Sequence, residues 1–429
     1  MNLSLFIARK IAFSKGKKSF SAIIIRIAIA AIAISVSVMI LTSAIIDGFK
    51  AGISEKIFGF WGHINISHVG VKSNIDNLPL PAKPDYYHIL DTLGKIPYYP
   101  NESAAKRMNE KLTKGGIDYI QSYALLPGII KTKESLEGII LKGAGDDFRW
   151  DKLGKYIVEG RVPDFNSEAA SDEILISGIT SNRLELKPDD QIIIHFIQGV
   201  EQLRRRFTVV GIYDTGLEEY DSKTALVDIR KITQILEWSP QEVGGFEVFL
   251  EDISDMDVFN EYIYLELLPG EAFSETIKRK FPGIFDWLEF TALNERVIFL
   301  LMCIVSIINM VTALLIFILE RTNMIGVLNA LGMTHFNLRK VFLYHAAYII
   351  VFGLLIGNII GISLGWLQSE FEFIKLDEAN YYLSVAPIKF SFIKILLINV
   401  VTLIIILLSL ILPSLMISRI DPVRAIKFS

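Results

Sequence analysis

Four long stretches without a charged residue constrain this 429-residue chain more than any other feature. About 20 consecutive apolar residues are enough to cross the hydrocarbon core of a bilayer as a helix. Soluble proteins rarely combine such runs with 52% hydrophobic residues. We therefore predict an integral membrane protein with four transmembrane helices. The stretches are Ile27–Ile46, Val297–Leu319, Val341–Ser369 and Ile395–Ser418.

The distribution of lysine and arginine predicts how the chain is oriented. Basic residues exceed acidic ones in 1–21, 320–340 and 419–429, whereas 47–296 and 368–391 are net acidic. Because basic loops are retained in the cytosol, we expect both termini there and the large acidic segment outside. The first apolar run is too long for the core of a cleaved signal peptide, so we interpret it as an anchor.

The external segment mixes strand and helix patterns, which predicts an α+β domain. Pro188-Asp189-Asp190 indicates a hairpin turn between two strands. The apolar residues alternate as in strands at 63–68, 192–196, 207–212 and 246–250, and they follow helical spacing at 86–93, 104–112 and 229–236. The predicted order is a cytosolic amphipathic helix (1–21), first span (22–46), external α+β domain (47–294), second span (295–319), cytosolic helix (320–340), third span (341–368), short external loop (369–391), fourth span (392–418) and cytosolic tail (419–429).

The segment 320–340, ERTNMIGVLNALGMTHFNLRK, is a sizeable polar break between two apolar helices in the C-terminal half. Met324, Ile325, Leu328 and Leu331 recur at helical spacing, so we predict a short amphipathic helix. A helix held between two spans suits the transmission of force better than chemistry. A juxtamembrane helix without a partner is the alternative, and the pattern alone leaves it open.

The third apolar stretch carries a glycine at every fourth position over four turns. Such spacing lines one face of a helix with no side chains and lets a neighbouring backbone approach closely. We predict a helix-packing role for this face, with chance placement as the alternative. The glycines are Gly353, Gly357, Gly361 and Gly365.

Several motifs that would indicate catalysis do not occur in the sequence. There is no phosphate-binding Gly-x-x-x-x-Gly-Lys-Ser/Thr loop and no Gly-x-Ser-x-Gly nucleophile motif. The six histidines lack His-x-x-x-His spacing, and the single cysteine, Cys303, lies within the second span. We predict no catalytic residue, no metal site and no nucleic-acid partner.

Two blocks of sequence resemble the FtsX/MacB-type permeases of ABC transporters, in particular the LolC/LolE branch. The first consists of LEFTALNERV and ERTNMIGVLNALGMT, which are similar to the segment leading into that family's coupling helix. The second consists of SDEILISGITSNRLELKPDDQIII and RRRFTVVGIYDTGLEEYDSKTALVDI, which are similar to its external domain. With KIFGFWGHINIS and RIDPVRAIK, the resemblance spans nearly the whole chain. It implies four transmembrane helices with a MacB-like periplasmic core domain between helices 1 and 2.

The resemblance also implies a function and a set of partners. LolC and LolE are the membrane subunits that release lipoproteins from the bacterial inner membrane. A cytosolic LolD-like ATPase dimer would bind ATP and Mg, while this chain would bind no cofactor and would not be an enzyme. Further implied partners are a second permease subunit, either identical or in a LolC/LolE-like pair, and a triacylated lipoprotein substrate. A LolA-like periplasmic carrier would receive the lipoprotein.

By position, the resemblance implies two groups of functional residues. The first would couple the permease to its ATPase, and the second would line the path of the lipid anchor between the first and second spans of opposite subunits. Ordinary packing or lipid-facing roles are the alternative for each lining residue. The coupling residues are Glu320, Arg321, Ile325, Gly326, Leu328, Ala330, Leu331 and Gly332. The lining residues are Val36, Met39, Ile40, Ser43, Val297, Leu300, Leu301 and Ile304.

One segment departs from the family pattern. The link at 198–203, QGVEQL, is short and has no proline, whereas a proline-bearing hairpin recruits the carrier in LolC-type subunits. This favours a LolE-like subunit or a homodimer that serves both roles.

Three other functions are open: an FtsX-like mechanotransmitter for cell-wall hydrolases, a MacB-like efflux permease, and an autonomous receptor or scaffold without an ATPase. The large external segment argues against the first, and the missing phosphate loop argues against the second.

Overall fold

The computed structural model describes residue 6 and residues 20–73, 76–99, 110–131, 136–165, 167–198 and 201–416. The N-terminal amphipathic helix expected at 1–21 and the tail expected at 419–429 fall almost entirely outside these residues. The described chain forms two compact units. A sheet unit comprises Gly52–Asp286 and Leu376–Ser384, and the other described residues form a helical unit.

Four helices are long and apolar enough to cross a membrane within the described residues, as the sequence predicts. Two of them extend well past their charge-free cores, because apolar residues at helical spacing continue beyond the first charged residue. The helices are α1 (Phe20–Trp61), α2 (Asp85–Asp91), α3 (Trp150–Leu153), α4 (Gly178–Leu184), α5 (Glu218–Asp221), α6 (Ile229–Ile235), α7 (Met256–Tyr262), α8 (Ile277–Lys280), α9 (Pro282–Glu320), α10 (Thr322–Ala330), α11 (His335–Phe371), α12 (Glu378–Tyr381), α13 (Phe392–Ser409) and α14 (Ile411–Ser414).

The sheet unit is built on a ten-stranded mixed sheet. Its order is β14-β1-β13-β5-β6-β11-β8-β10-β7, and β9 pairs with both β10 and β5. The pairs β8/β10 and β6/β11 are parallel. The strands are β1 (Ile64–His68), β2 (Leu80–Pro81), β3 (Pro97–Tyr98), β4 (Lys111–Leu112), β5 (Ile117–Lys131), β6 (Leu136–Ala144), β7 (Ile157–Gly160), β8 (Glu173–Ser177), β9 (Gln191–Gln198), β10 (Glu201–Tyr213), β11 (Thr224–Asp228), β12 (Glu242–Val243), β13 (Gly245–Leu250) and β14 (Ala272–Thr276).

One local prediction for this unit was wrong, and another is described only at its end. Pro188-Asp189-Asp190 does not join two strands, because the residues before it form α4, which Ser177 caps by accepting a hydrogen bond from the Thr180 N–H. Of the helical pattern predicted at 104–112, residues 104–109 lie outside the described residues, and Lys111–Leu112 form β4, paired with β3. Both segments are short, so pairing and capping decide their structure more than periodicity does.

A fully buried ion pair lies at the C-terminal end of α1. Lys142 Nζ is 2.7 Å from Glu247 Oε1, and both side chains are 0% exposed. Lys142 also donates to the Phe60 carbonyl oxygen, and Gln121 Nε2 donates to Glu247 Oε2 at 2.8 Å. Burial lowers the pKa of Lys142, and Glu247 opposes that shift. The cation also meets the negative end of a helix dipole. The network therefore joins the end of α1 to β6 and β13.

Candidate functional site: the short helix between the second and third spans

A glycine turn sets the length of the short helix α10. Gly332 has a φ of +89°, a conformation that residues with a Cβ rarely adopt. The Gly332 N–H donates to the Asn329 oxygen and the Met333 N–H to the Leu328 oxygen, both at 3.0 Å. This pair of bonds is a Schellman motif, which ends a helix. Thr334 then caps α11, because its hydroxyl accepts from the Asn337 N–H.

The two faces of α10 have different surroundings. Ile325 and Gly326 are buried, and Leu328 packs against the core of the helical unit. On the opposite side Val327 is exposed and Leu331 is 79% exposed. Exposed apolar side chains grouped on one surface often mark a site of interaction with another protein. Helix α10 is thus held to the bundle by one face and presents the other.

The predicted coupling residues divide between these two faces. Ile325 and Gly326 point inward, whereas Ala330, Leu331 and Gly332 are exposed. Glu320 ends α9, and Arg321 joins it to α10.

Sequence reasoning missed two exposed apolar residues beside this group, Val327 and Phe336. Spacing could have indicated Val327, because it lies four residues before Leu331 and so shares its side of the helix. Phe336 begins the next helix, where no periodic signal connects it to α10.

The eight predicted lining residues lie in two different environments. Those on α1 are buried in the core of the helical unit: Met39, for example, is 1% exposed. Those on α9 are exposed: Leu300, for example, is 63% exposed. The structure therefore does not bring the two groups together on one surface of the chain. The buried residues are Val36, Met39, Ile40 and Ser43, and the exposed residues are Val297, Leu300, Leu301 and Ile304.

The exposed side of α1 is made by other residues. Ile27 and Ile34 are exposed, and Val38, Leu41 and Ile45 are partly exposed. Successive members of this set are separated by three, four or seven residues, so they follow one face of the helix. This face is the surface that α1 offers to lipid or to another chain.

The glycine face of α11 explains why the other side of α1 is buried. A Cβ at Gly357 would lie 2.8 Å from the Ala33 oxygen, and one at Gly353 would lie 2.7 Å from Ile32 Cγ2. Ser37 Oγ donates to the Gly357 oxygen at 2.9 Å. Gly361 likewise lies against α1 at Ser37, whereas Gly365 faces the ring of Phe390. Larger residues at 353 and 357 would separate the two helices.

Comparison with known proteins identifies the class of this chain. Residues 27–278 match the family described as MacB-like periplasmic core domain, and residues 296–422 match the FtsX-like permease C-terminal family. The chain therefore belongs to the FtsX-like permeases that carry a MacB-like periplasmic core domain, a class of ABC-transporter membrane subunits. The predicted fold class, four membrane helices with a large α+β domain between the first and second, is confirmed.

Individual relatives match over most of the chain. The lipoprotein-releasing system transmembrane protein LolC of Xylella fastidiosa (strain Temecula1) is 22% identical over 441 residues, 99% of each chain. LolE of Haemophilus influenzae is 21% identical over 377 residues, 85% of this chain and 82% of LolE. The extracellular domain of the ABC-type transporter YknZ from Gram-positive bacteria aligns at 12% identity and a TM-score of 0.32, covering 50% of this chain and 99% of that domain.

Proposed function

We propose that this chain is the permease subunit of an ATP-driven ABC transporter that extracts lipoproteins from the inner membrane and passes them to a periplasmic carrier. The observation that carries the proposal is the match to LolC over 99% of both chains. The basic segments favour cytosolic termini and a periplasmic sheet unit. The chain would work beside a second permease subunit, as a homodimer or a LolC/LolE-like heterodimer.

Helix α10 is the proposed contact for a LolD-like ATPase dimer, which would bind ATP and Mg. The exposed side chains of Val327, Leu331 and Phe336 support this role, because an apolar surface is stabilised when a partner covers it. The inward residues Ile325 and Gly326 would transmit the motion of the partner to the bundle. In this proposal helix α10 has two functions: one face attaches it to the rest of the permease, and the other contacts the ATPase.

The energetics of the substrate favour a shielded path. Transfer of acyl chains into water costs about 0.8 kcal/mol per CH₂, so a triacyl anchor of roughly 45 methylenes would cost about 36 kcal/mol. Such an anchor must pass from one apolar environment to another, which explains the need for a carrier such as LolA. Exposed residues of α9 and the open face of α1 suit the entry path. We therefore propose Ile34 and Val38 as contacts, in preference to the buried Met39.

The proposal is tested by reconstituting the chain with its ATPase and measuring lipoprotein transfer to a soluble carrier. We expect Leu331→Asp to abolish stimulated ATP hydrolysis, because a charge would lie in the contact. Leu136→Asp, at an exposed leucine of the sheet unit, is the matched control for the same change of side chain. Normal coupling in Leu331→Asp would contradict the role of α10. Absence of any co-purifying ATPase would instead favour a receptor or scaffold.

A photo-crosslinker tests the path of the lipid anchor. Placed at Ile34, it should label a lipoprotein, whereas at buried Met39 it should label the chain itself. Labelling by bulk phospholipid alone at Ile34 would contradict the entry path. An FtsX-like mechanotransmitter would couple to ATP hydrolysis without moving lipoprotein, and an efflux permease would respond to small apolar compounds, so the transfer assay separates these alternatives.

A further inference from the structure

Two basic side chains, Arg321 and His345, meet at the ring of Phe317, and a third, Arg339, lies nearby in sequence on α11. The guanidinium carbon of Arg321 lies 5.9 Å from the centre of the Phe317 ring. The imidazole of His345 stacks on the same ring, with centroids 4.5 Å apart. Arg339 precedes Phe342 by one helical turn, and the Phe342 ring also contacts Phe317, at 5.6 Å. Phe317 thus joins Arg321 to His345, and Arg339 lies one turn from the ring of Phe342 that packs on it.

Four nitrogen atoms of these side chains are buried and have no hydrogen-bond partner among the residues that the structure describes. The Nε atoms of Arg321 and Arg339 have no hydrogen-bond acceptor, and neither ring nitrogen of His345 has a partner. His345 is only 3% exposed. Among the carboxylates that the structure describes, none forms an ion pair with either arginine; Glu320, next to Arg321, has interactions of its own. Arg321 and Arg339 are partly exposed, whereas the buried imidazole of His345 lacks a partner at a cost, so the arrangement is incomplete as it stands.

The start of α10 adds a second feature that favours an anion. Helix α10 follows directly on Arg321, has no side-chain cap and has no acidic residue in its first turn. Free N–H groups and the positive end of the helix dipole at such a terminus attract negative charge. The cluster and the helix terminus therefore point to the same kind of ligand, an anion with several acceptor oxygens.

We propose that Arg321, Arg339, His345 and the N-terminus of α10 bind the phosphate group of an anionic phospholipid. Guanidinium groups match the geometry of phosphate oxygens, and His345 supplies one further N–H donor. The lipid is favoured as the source because the cluster lies at the ends of two membrane helices, where Leu319 exposes apolar surface that suits acyl chains. The lipid would hold the start of α10 against the bundle. This inference does not depend on lipoprotein release.

The test uses the purified full-length chain, with any co-purifying ATPase, in a neutral detergent. Thermal unfolding is followed by tryptophan fluorescence while phosphatidylglycerol, phosphatidylcholine or inorganic phosphate is added. We expect only phosphatidylglycerol to raise the unfolding temperature. Arg321→Gln and Arg339→Gln should each raise about tenfold the phosphatidylglycerol concentration that gives half of the maximal shift in unfolding temperature. A tenfold change is the usual effect of losing one charge-assisted hydrogen bond. Arg296→Gln, an exposed arginine near the other end of the membrane part of α9, should leave it unchanged.

The possible results separate the alternatives. An unchanged response in the double variant Arg321→Gln/Arg339→Gln would overturn the site. An equal response to inorganic phosphate at matched concentration would overturn the lipid as source and assign the site to a free anion. If the variants unfold, native mass spectrometry of the wild-type chain decides the question: preferential retention of phosphatidylglycerol over an equal amount of phosphatidylcholine supports the proposal, and equal retention overturns it.

Discussion

Removing one partner of the Lys142–Glu247 pair should destabilise the sheet unit strongly. The change to make is Lys142→Met, which preserves much of the side-chain volume and deletes the charge. It would leave the Glu247 carboxylate buried with Gln121 Nε2 as its one remaining side-chain donor among the described residues. It would also remove the donor to the Phe60 carbonyl and the cation 4.5 Å from the Trp61 ring.

The size of the effect follows from burial. Breaking a fully buried ion pair by removing one partner costs about 3–5 kcal/mol. The buried ammonium of Lys280 also interacts with Glu247, so we expect a loss towards the lower end of that range. For a unit of this size, that range corresponds to roughly 6–20 °C in unfolding temperature. The matched control is Lys278→Met, which removes the exposed pair with Asp257 and should cost about 1 kcal/mol or less.

The assay is thermal unfolding of the full-length protein in detergent, followed by tryptophan fluorescence. Equal shifts for Lys142→Met and Lys278→Met would refute the reasoning, since they would mean that Glu247 finds another partner or takes a proton at little cost. The double variant Lys142→Met/Glu247→Leu adds a second check. Because it removes the unpaired carboxylate, greater stability than that of Lys142→Met alone would support the argument, even though Lys280 also loses its interaction with Glu247.

Three further predictions use other features of the structure. His63 Nδ1 accepts a hydrogen bond from the Leu250 N–H at 2.7 Å, and burial lowers the pKa of His63 to about 4. As the pH falls below 6.5, the unfolded chain therefore takes up a proton before the folded chain does. The free energy of unfolding should drop by up to about 3 kcal/mol towards pH 4, and its pH profile should be flatter in His63→Gln. Asn358 and Asn399 exchange amide hydrogen bonds of 2.6 and 3.0 Å, so Asn399→Leu should cost about 1–2 kcal/mol in detergent unfolding, and no loss would exclude a stabilising pair. Gly357→Val should disrupt bundle packing measurably, whereas Gly283→Val should cost little, because a Cβ there meets nothing within 4 Å and valine has a higher helix propensity than glycine.

The membrane helices could be predicted from sequence because bilayer thickness imposes a length that charge-free runs reveal directly. The residues at which these helices begin and end could not be predicted in this way. Asp47 ends the charge-free run in the first span, yet α1 continues to Trp61, with Ile53 and Ile57 buried in the sheet unit. Charge marks where a span can leave the hydrocarbon, whereas helix ends depend on packing and caps, which a charge count does not register.

The α+β class of the sheet unit could be predicted from the sequence, whereas the order of the strands in its sheet could not. Strands such as β13, fully buried along its length, were recognised from apolar residues at 246–250. Its position between β1 and β5 depends on contacts distant in sequence, such as Ile66 with Phe246 and Ser122 with Phe246. Loop residues Leu376–Ser384 group with this unit, and Lys56 Nζ lies 3.0 Å from Glu378 Oε1. No local pattern indicates such a long-range pair.

The candidate site shows the same limit at the level of single side chains. A motif match assigns a role to a position without saying which face of its helix is free, so it placed Met39 and Leu300 in one group although one is buried and the other open. The missing information was the glycine face of α11. Once Gly353 and Gly357 are packed against α1, the opposite face with Ile34 is the surface that α1 has left to offer. The sequence contained both patterns, and only their packing decides which residues of the first span can meet another molecule.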